Sequence, residues 1–519
     1  MILDAEKGLG QEPPHYDLCI VGAGAAGITL ALELATTGLH VCLLEAGGAE
    51  YESQTQRLFE GEVVGQKYPM LRDTRVGALG GSTTVWAGWC RPLEALDFET
   101  WPFGLEELRP WYTRAHEICG LAACDYDAEH WSGVLGADRI LPGDPAFSSE
   151  IFHIQVQDFG QRYREWLQRS KNIDLMLHAP VTRVRVEGSA CTAVEIRTLG
   201  GNQLTIRADR FVLAAGGVEN PRLLLLSGDE RAGVPGNGGG LVGRYFADHA
   251  FVDPGALVLR APASLDFYRA RPVAASREAS SVRGVLSLRR EVLERECLMN
   301  ANLFFHPRYE AHRVFDTEEV KAALQLWSKV TQRAVPGAVW PYLRQALKAP
   351  HRVAVAMARK LAVRHGPSRH WRMRAAFETV FRYDNRVMLS DKRDRLGRRG
   401  VCIEWRIAEA DIENMRRVMH LFDQAVRQAG VGHLERAFPD APAAWRQALE
   451  AGKHHMGTTR MHVASQHGVV DENSRVHGTS NLFVTGSSVF PSGGYANPTL
   501  TVVALAARLG DHLKRVPGR

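Results

Sequence analysis

Three segments of this 519-residue chain carry residue types and spacings that chemistry could use. The first is Gly22-x-Gly24-x-x-Gly27, which follows the apolar run Leu18 to Val21. Gly22 permits a tight turn, Gly24 lets backbone approach a pyrophosphate, and Gly27 lets a helix pack closely on a strand. The helix that follows, beginning around Ala25 and Ala26, offers free N–H groups and a partial positive charge to phosphates. Glu45 ends the next apolar run, with Ala46 after it, and is placed to accept hydrogen bonds from a ribose diol. This pattern predicts a dinucleotide site, but it does not separate a flavin dinucleotide from a nicotinamide one. The second segment is Gly80-Gly81-Ser82-Thr83-Thr84-Val85-Trp86-Ala87-Gly88. Its small and hydroxylated residues suit close approach of backbone donors to a flat polar ring, or a plain surface loop.

The third lies near the C-terminus, as His454-His455-Met456-Gly457-Thr458-Thr459-Arg460-Met461 and then Gly494-Tyr495-Ala496-Asn497-Pro498-Thr499-Leu500-Thr501. In an extended segment His454 and His455 point to opposite faces, so one can face a site while the other packs. His462 and His467 follow at irregular spacing, with no cysteine or acid nearby to complete a ligand set, so no metal is expected. Asn497 before Pro498 also reads as a helix start, with Asn as N-cap and Pro at the first helical position. Leu500, Val503, Ala504 and Ala507 then recur at helical spacing.

Behind these segments stand the elements that must position them. Leu18 to Val21 reads as a strand buried on both faces, Ala26 to Ala35 as a helix and His40 to Glu45 as a second strand. Another strand-like run, Phe211 to Ala215, precedes Gly216 and Gly217, and Val181 to Val186 alternates like an antiparallel strand. Between about 250 and 445 glycine thins and charge rises, with basic helical patterns over 317–380, such as Val353 to Val363. Glycine-rich loops return after 450 and a last helix closes the chain. The expected organisation is a discontinuous nucleotide domain (1–95, 150–250 and 450–519), a connecting segment that covers the cofactor (96–149), and an inserted domain (251–449).

Length alone favours two domains. The formal charge of +5, with 45% hydrophobic and 23% charged residues, is ordinary for a soluble protein and makes no case for nucleic acid. Eight cysteines without CxxC spacing argue against a zinc ribbon or a disulfide framework and fit a reducing compartment. The first residues lack a charged start followed by an apolar core, and no run of about 18 apolar residues occurs, so the expected location is cytoplasmic.

Together, the glycine fingerprint, the HxxGTxR-like segment from His454 and the Ala496-Asn497-Pro498-Thr499-Leu500-Thr501 segment resemble the glucose–methanol–choline (GMC) oxidoreductases, most closely their pyranose-oxidase-like branch. The resemblance covers roughly 15–100, 180–250 and 450–515. It implies an α/β architecture: a Rossmann-like FAD-binding domain with an inserted α+β substrate domain built on an antiparallel sheet. It makes His454 the match of the family's catalytic histidine and Asn497 the match of its partner. FAD contacts are implied for Gly81, Ser82, Thr83, Val85, Trp86, Ala87, Gly88, Val184, Ala215, Gly216, Asn220, Ser487, Asn497, Pro498 and Thr499. Val85 stands where some relatives carry a flavin-linked histidine, which implies non-covalent FAD. Gly486 stands where many carry an aspartate, so contacts to the ribityl chain must differ there. Asp248-His249 resembles a hinge between domains, or is an ordinary turn pair.

The implied activity is oxidation of a hydroxyl group to a carbonyl. A neutral imidazole suits removal of the hydroxyl proton, an asparagine amide can steady the resulting alkoxide, and the flavin takes the hydride. The helix after Pro498 would bring positive dipole charge to the flavin. The implied substrate is a sugar, glycoside or amino-sugar, with a non-sugar alcohol, or a non-redox relative such as a hydroxynitrile lyase, as the alternative. The acceptor is oxygen, a quinone or another carrier, with a dehydrogenase favoured over an oxidase. The basic stretch Val353 to Arg374 reads as a solvated or interchain face, so an oligomer is allowed, or as a contact with anionic lipid.

Overall fold

The strand Tyr16–Val21 lies between two parallel neighbours, Val41–Leu44 and Gln203–Leu213, so side chains on both of its faces are enclosed. Leu18, Cys19 and Ile20 are accordingly buried without exposure. The computed structural model describes residues 1–8, 13–228, 233–273, 280–307, 319–320, 322–323, 326, 340–355 and 367–515. Its first sheet has eight strands. In order across the sheet they run Ile2–Asp4, Ile173–Leu177, Val41–Leu44, Tyr16–Val21, Gln203–Leu213, Ala190–Arg197 and Val181–Glu187. Leu482–Val484 joins as a further parallel partner of Gln203–Leu213.

Gln203–Leu213 changes partners along its length. Residues 203–207 pair antiparallel with Ala190–Arg197, whereas 208–213 pair parallel with Tyr16–Val21. The expected antiparallel strand near 181–186 is therefore present, as one arm of this hairpin.

Helix Ala25–Leu34 follows the glycine turn, one residue earlier than the periodicity predicts. The last helix, Thr499–Arg515, packs against it so tightly that a Cβ on Gly510 would lie 2.7 Å from the Cβ of Glu33. Helix Leu105–Cys119 completes the layer, with Tyr112 Oη 2.9 Å from Thr501 Oγ1.

The second sheet has nine strands, and all its pairings are antiparallel. It runs Gly432–Arg436, Ala250–Ala263, Ser368–Phe377, Ala301–Pro307, Ser280–Leu288, Phe147–Ile154 and Trp89–Cys90, with two short strands at its flanks. Helix Glu409–Gln428 covers one face. It buries Ile412, Met415, Val418, Met419, Phe422 and Val426, spaced three and four apart as one helical face requires. The architecture is thus a Rossmann-like domain joined to an α+β domain on an antiparallel sheet. A third, three-stranded sheet pairs Arg386–Arg393 with Arg399–Trp405, which in turn runs parallel to Gly61–Gly65.

The basic helical reading of 317–380 needs correction at its end. Ser368–Phe377 is a strand, because Trp371, Met373, Ala375 and Phe377 are buried while Arg372 and Arg374 between them are not. A period of two therefore prevails over the helical period, and the arginines occupy the opposite face, the one that carries Phe251. Trp340–Ala346 is a helix. The centre of the basic stretch, 356–366, and most of 324–339 lie outside the described residues.

A buried ion network ties helix Gly216–Ser227 to the turn between Arg386–Arg393 and Arg399–Trp405. The Arg222 guanidinium is 1% exposed and bonds Glu219 at 3.1 Å and Asp394 at 2.9 Å. Arg75 reaches the other oxygen of Glu219 at 2.9 Å. Burial alone would raise the Glu219 pKa, but Arg222 and Arg75 outweigh it and hold it at about 2. Removing one partner leaves uncompensated buried charge. Arg222→Ala is expected to cost about 3–5 kcal/mol of stability. Urea unfolding would read this, and a change below about 1 kcal/mol would show the network to be energetically idle.

Candidate active site

The glycine turn is fixed by contact. A Cβ on Gly27 would sit 1.8 Å from the carbonyl oxygen of Gly22, and one on Gly22, at φ 110°, would sit 2.7 Å from Ala214 O. Glycine at both positions lets the strand, the turn and the helix close on one another. Gly24 opens helix Ala25–Leu34 with no side-chain cap, so the first N–H groups of that helix face outward. Gly81 crosses directly above, where its Cβ would lie 3.0 Å from Gly24 Cα. The segment Gly81–Thr84 is a short 3-10 turn entered through Gly80 in the left-handed region. Beyond it Ser82, Val85 and Ala87 are exposed, while Thr83 and Gly88 are buried. The buried Trp86 Nε1 has no hydrogen-bond partner.

Glu45 lies at the end of its strand as expected, but its carboxylate already has local partners. Oε2 accepts from Ala23 N–H at 3.1 Å and Oε1 from Gly47 N–H at 3.0 Å. Burial raises its pKa to about 7. Ala46 follows, half-buried, between Glu45 and the Gly47 N–H that the carboxylate captures. Val184 is buried, and its N–H donates to Ser227 Oγ at 2.9 Å.

The turn Ala215-Gly216-Gly217 starts helix Gly216–Ser227, with Gly216 at φ 84°. Asn220 locks this turn to the C-terminal segment: its Oδ1 accepts from Ala215 N–H, and its Nδ2 donates to Thr485 O and Ser488 Oγ. Gly486 stands there at φ 114°, where side chains are strained. Ser487 Oγ donates to His455 O at 2.6 Å. The backbone of Gly217 lies against that same residue, so a Cβ there would meet His455 O at 2.2 Å.

These contacts carry the histidine segment to the centre of the molecule. His454 Nε2 is 3.2 Å from Asn497 Nδ2, across 43 residues of sequence. On its other side His454 Nδ1 is 2.8 Å from His249 Nδ1, and His249 Nε2 is 2.8 Å from the carbonyl of Gly494. Asp248 holds the same turn from below. Its carboxylate accepts from His454 N–H at 2.7 Å, from Lys453 N–H at 2.9 Å and from Tyr68 Oη–H. Lys453 sits at φ 66°, a left-handed conformation costly for a side chain, and Asp248 secures it.

His455 turns away and stacks on Tyr68 at 6.2 Å, whereas His454 meets the edge of Phe251 at 6.2 Å. Burial lowers the pKa of His454 well below 6.5, with His249 and His455 adding to the effect. Burial also takes His249 down to about 4 and raises Asp248 to about 6.

The last helix begins at Thr499, so Pro498 and not Asn497 flanks it, in contrast to the expected Asn cap. The Asn497 amide faces the imidazole, and Pro498 and Thr499 lead into the last helix, with Val502 N–H bonded to Pro498 O. Beside the pair, the second sheet contributes Phe251, Phe304, Trp89 and Phe152, joined by Tyr495, in an aromatic group linked by ring contacts of 4.9 to 6.5 Å. Arg374 and Arg283 lie over Phe251 and Trp89 at 5.0 and 4.9 Å. Neither these aromatics nor Tyr68 carried a sequence signal, because they come from strands and loops scattered over the chain.

Two family profiles match the chain: "FAD dependent oxidoreductase" over residues 17–238 and "GMC oxidoreductase" over residues 382–506. The second spans both halves of the His454–Asn497 pair. The C-terminal part of the chain is therefore similar to the GMC oxidoreductases, and its N-terminal part to FAD-dependent oxidoreductases. The chain is 24% identical to the 2-methyl-1,2-propanediol dehydrogenase of Mycolicibacterium austroafricanum, over 96% of its own length and 95% of that protein's. It is 32% identical to the C-glycoside 3-oxidase of Arthrobacter globiformis, over 24% of its own length and 22% of that protein's. Its fold is shared with pyridoxine 4-oxidase from Mesorbium loti, at a TM-score of 0.59 and 17% identity, covering 97% of this chain and 100% of that one.

The residues present fit the dinucleotide of an FAD-dependent family. Glycine contacts at Gly22, Gly24 and Gly81 form a cradle that a Cβ would fill, above an uncapped helix N-terminus. Gly27→Ala is expected to force helix and turn apart and to lower bound FAD per chain at least tenfold, read by flavin absorbance against protein. Normal flavin content in a folded Gly27→Ala protein would place the cofactor elsewhere.

Proposed function

We propose that this protein oxidises a hydroxyl group to a carbonyl, with His454 and Asn497 as the residues that touch the reacting oxygen. The observation that carries the reading is the approach of an uncharged imidazole Nε2 and an amide Nδ2 to 3.2 Å. A hydroxyl set against both atoms donates its proton to Nε2 and accepts from the amide N–H. As the proton leaves, charge builds on the oxygen, and the Asn497 N–H stabilises it without a net charge of its own. A bound flavin supplies the acceptor for the hydride leaving the same carbon. Gly22, Gly24, Ala25, Ala26 and the loop 81–88 would hold it, with Ala215, Gly216, Gly486, Ser487, Pro498 and Thr499 on the opposite side. Val85, 70% exposed, offers an aliphatic side chain with no atom for a covalent flavin link. Denaturation should therefore release FAD intact.

Support for the substrate class comes from the surroundings of His454. The aromatic group from the second sheet offers an apolar face of the kind that the CH face of a sugar ring covers. Arg374 and Arg283 already lie over two of these rings. These ring faces are already engaged by guanidinium groups, so an uncharged sugar or glycoside fits better than a choline-like or protonated amino-sugar substrate that would need free aromatic faces. The similarity to a diol dehydrogenase and a glycoside oxidase supports a polyhydroxylated substrate. A dehydrogenase passing electrons to a quinone or other carrier is the preferred form, since exposed Ala87 offers no polar handle near the ring.

Anaerobic mixing with a panel of sugars, glycosides and diols tests the reading. At least one is expected to bleach the flavin, and a quinone to restore its colour faster than air does. Bleaching by none would leave a non-redox member of the fold, and stoichiometric peroxide would make it an oxidase. The depressed His454 pKa also sets a pH dependence. The base works in its neutral form, which persists below pH 6.5. Flavin reduction should therefore stay level from about pH 8 down to 6.5 and fall only on the more acidic side. A titration midpoint at or above 6.5 would contradict the buried, neutral base.

A further inference from the structure

His249 carries no assigned role, yet it lies on the far side of His454 from Asn497, in direct ring-to-ring contact. We infer that His249 is a positioning residue that fixes the tautomer of His454, so that the proton-accepting lone pair stands on the nitrogen facing Asn497. The inference rests on the proposed role of His454 as base.

Three hydrogen bonds in a line fix where each proton sits. Gly494 offers a carbonyl oxygen, which can only accept, so His249 Nε2, 2.8 Å away, must carry a hydrogen. His249 is buried and uncharged at neutral pH, so its Nδ1 is then bare. A bare nitrogen can only accept, so His454 Nδ1, 2.8 Å away, must donate. In neutral His454 the Nε2 is left with its lone pair, turned to the Asn497 amide at 3.2 Å. The opposite tautomer would set two bare nitrogens against each other at the His249 contact and aim an N–H at the Asn497 amide. A backbone carbonyl in the 494 loop thereby fixes which nitrogen of His454 takes the substrate proton.

The His249 contact serves both protonation states. When His454 Nε2 gains a proton, its Nδ1–H still donates to His249, so that bond is kept as charge forms. This resembles the orienting partner of a catalytic triad, with a neutral acceptor in place of a carboxylate. Asp248 completes the hold by fixing the His454 backbone, and its carboxylate makes no bond to either ring.

The test uses the holoprotein with 15N-labelled histidine, the His454 signals being identified by their loss in His454→Gln. At neutral pH and without substrate, Nδ1 is expected to show the shift of a proton-bearing nitrogen and Nε2 that of a bare one. His249→Leu removes the acceptor and should give a mixture of tautomers, with flavin reduction slowed about 10- to 100-fold, a part of what a positioned base contributes. Apparent substrate affinity should change less than about threefold. His249→Asn, which keeps an acceptor oxygen near the Nδ1 position, should restore the Nδ1–H tautomer. A wild-type Nε2–H tautomer, or one unchanged in folded His249→Leu, would overturn the inference. If His249→Leu does not fold, the wild-type signals alone decide. The tautomer reading needs no substrate, so it stands or falls separately from the failure of every alcohol to bleach the flavin.

Discussion

A proton acceptor inside a protein must be uncharged at rest, and the atom that accepts must face the place where the proton is released. Burial supplies the first condition at His454, because low surrounding polarity penalises the imidazolium form. The second needs bonds on both sides of the ring and on its backbone. Here these come from Asn497, His249 and Asp248, residues that lie far apart in the chain.

The folding of the chain serves that convergence. Leu482–Val484 returns to the first sheet beside Gln203–Leu213, which places the loop 485–489 over the turn at Ala215–Gly217. The segment carrying His454 is bonded to that loop, with Gly457 N–H on Ser487 O and Thr459 N–H on Ser488 O. The last helix packs on Ala25–Leu34, and this fixes Asn497 relative to the glycine turn. From the other side, Asp248 and His249 immediately precede Ala250–Ala263, the strand that enters the second sheet. The same strand brings Phe251 against His454. The dinucleotide cradle, the imidazole and the aromatic surface therefore share a few rigid contacts, without a long mobile connection between them.

Much of the nucleotide side was legible from residues alone. A buried apolar strand, a glycine turn and a helix make a local pattern, and local patterns survive in sequence. The resemblance that singled out His454 and Asn497 rests on ordered motifs of the same local kind. What escaped was non-local. Asp248-His249 looked like a hinge or a turn pair, since nothing in the sequence says that His249 meets a residue 205 positions away. The strand Ser368–Phe377 was hidden because its arginines alternate with apolar residues next to a basic stretch of helical pattern. The aromatic group beside His454 is assembled from separate strands and could not be read from spacing.

The central claim is that His454 takes the proton as the hydride leaves the same carbon. Single-turnover anaerobic reduction of the flavin in His454→Ala, with a substrate that bleaches the unaltered protein, measures that step alone. The account predicts a rate lower by about 100- to 10,000-fold while FAD content stays the same. Reduction at an undiminished rate in the variant would contradict it.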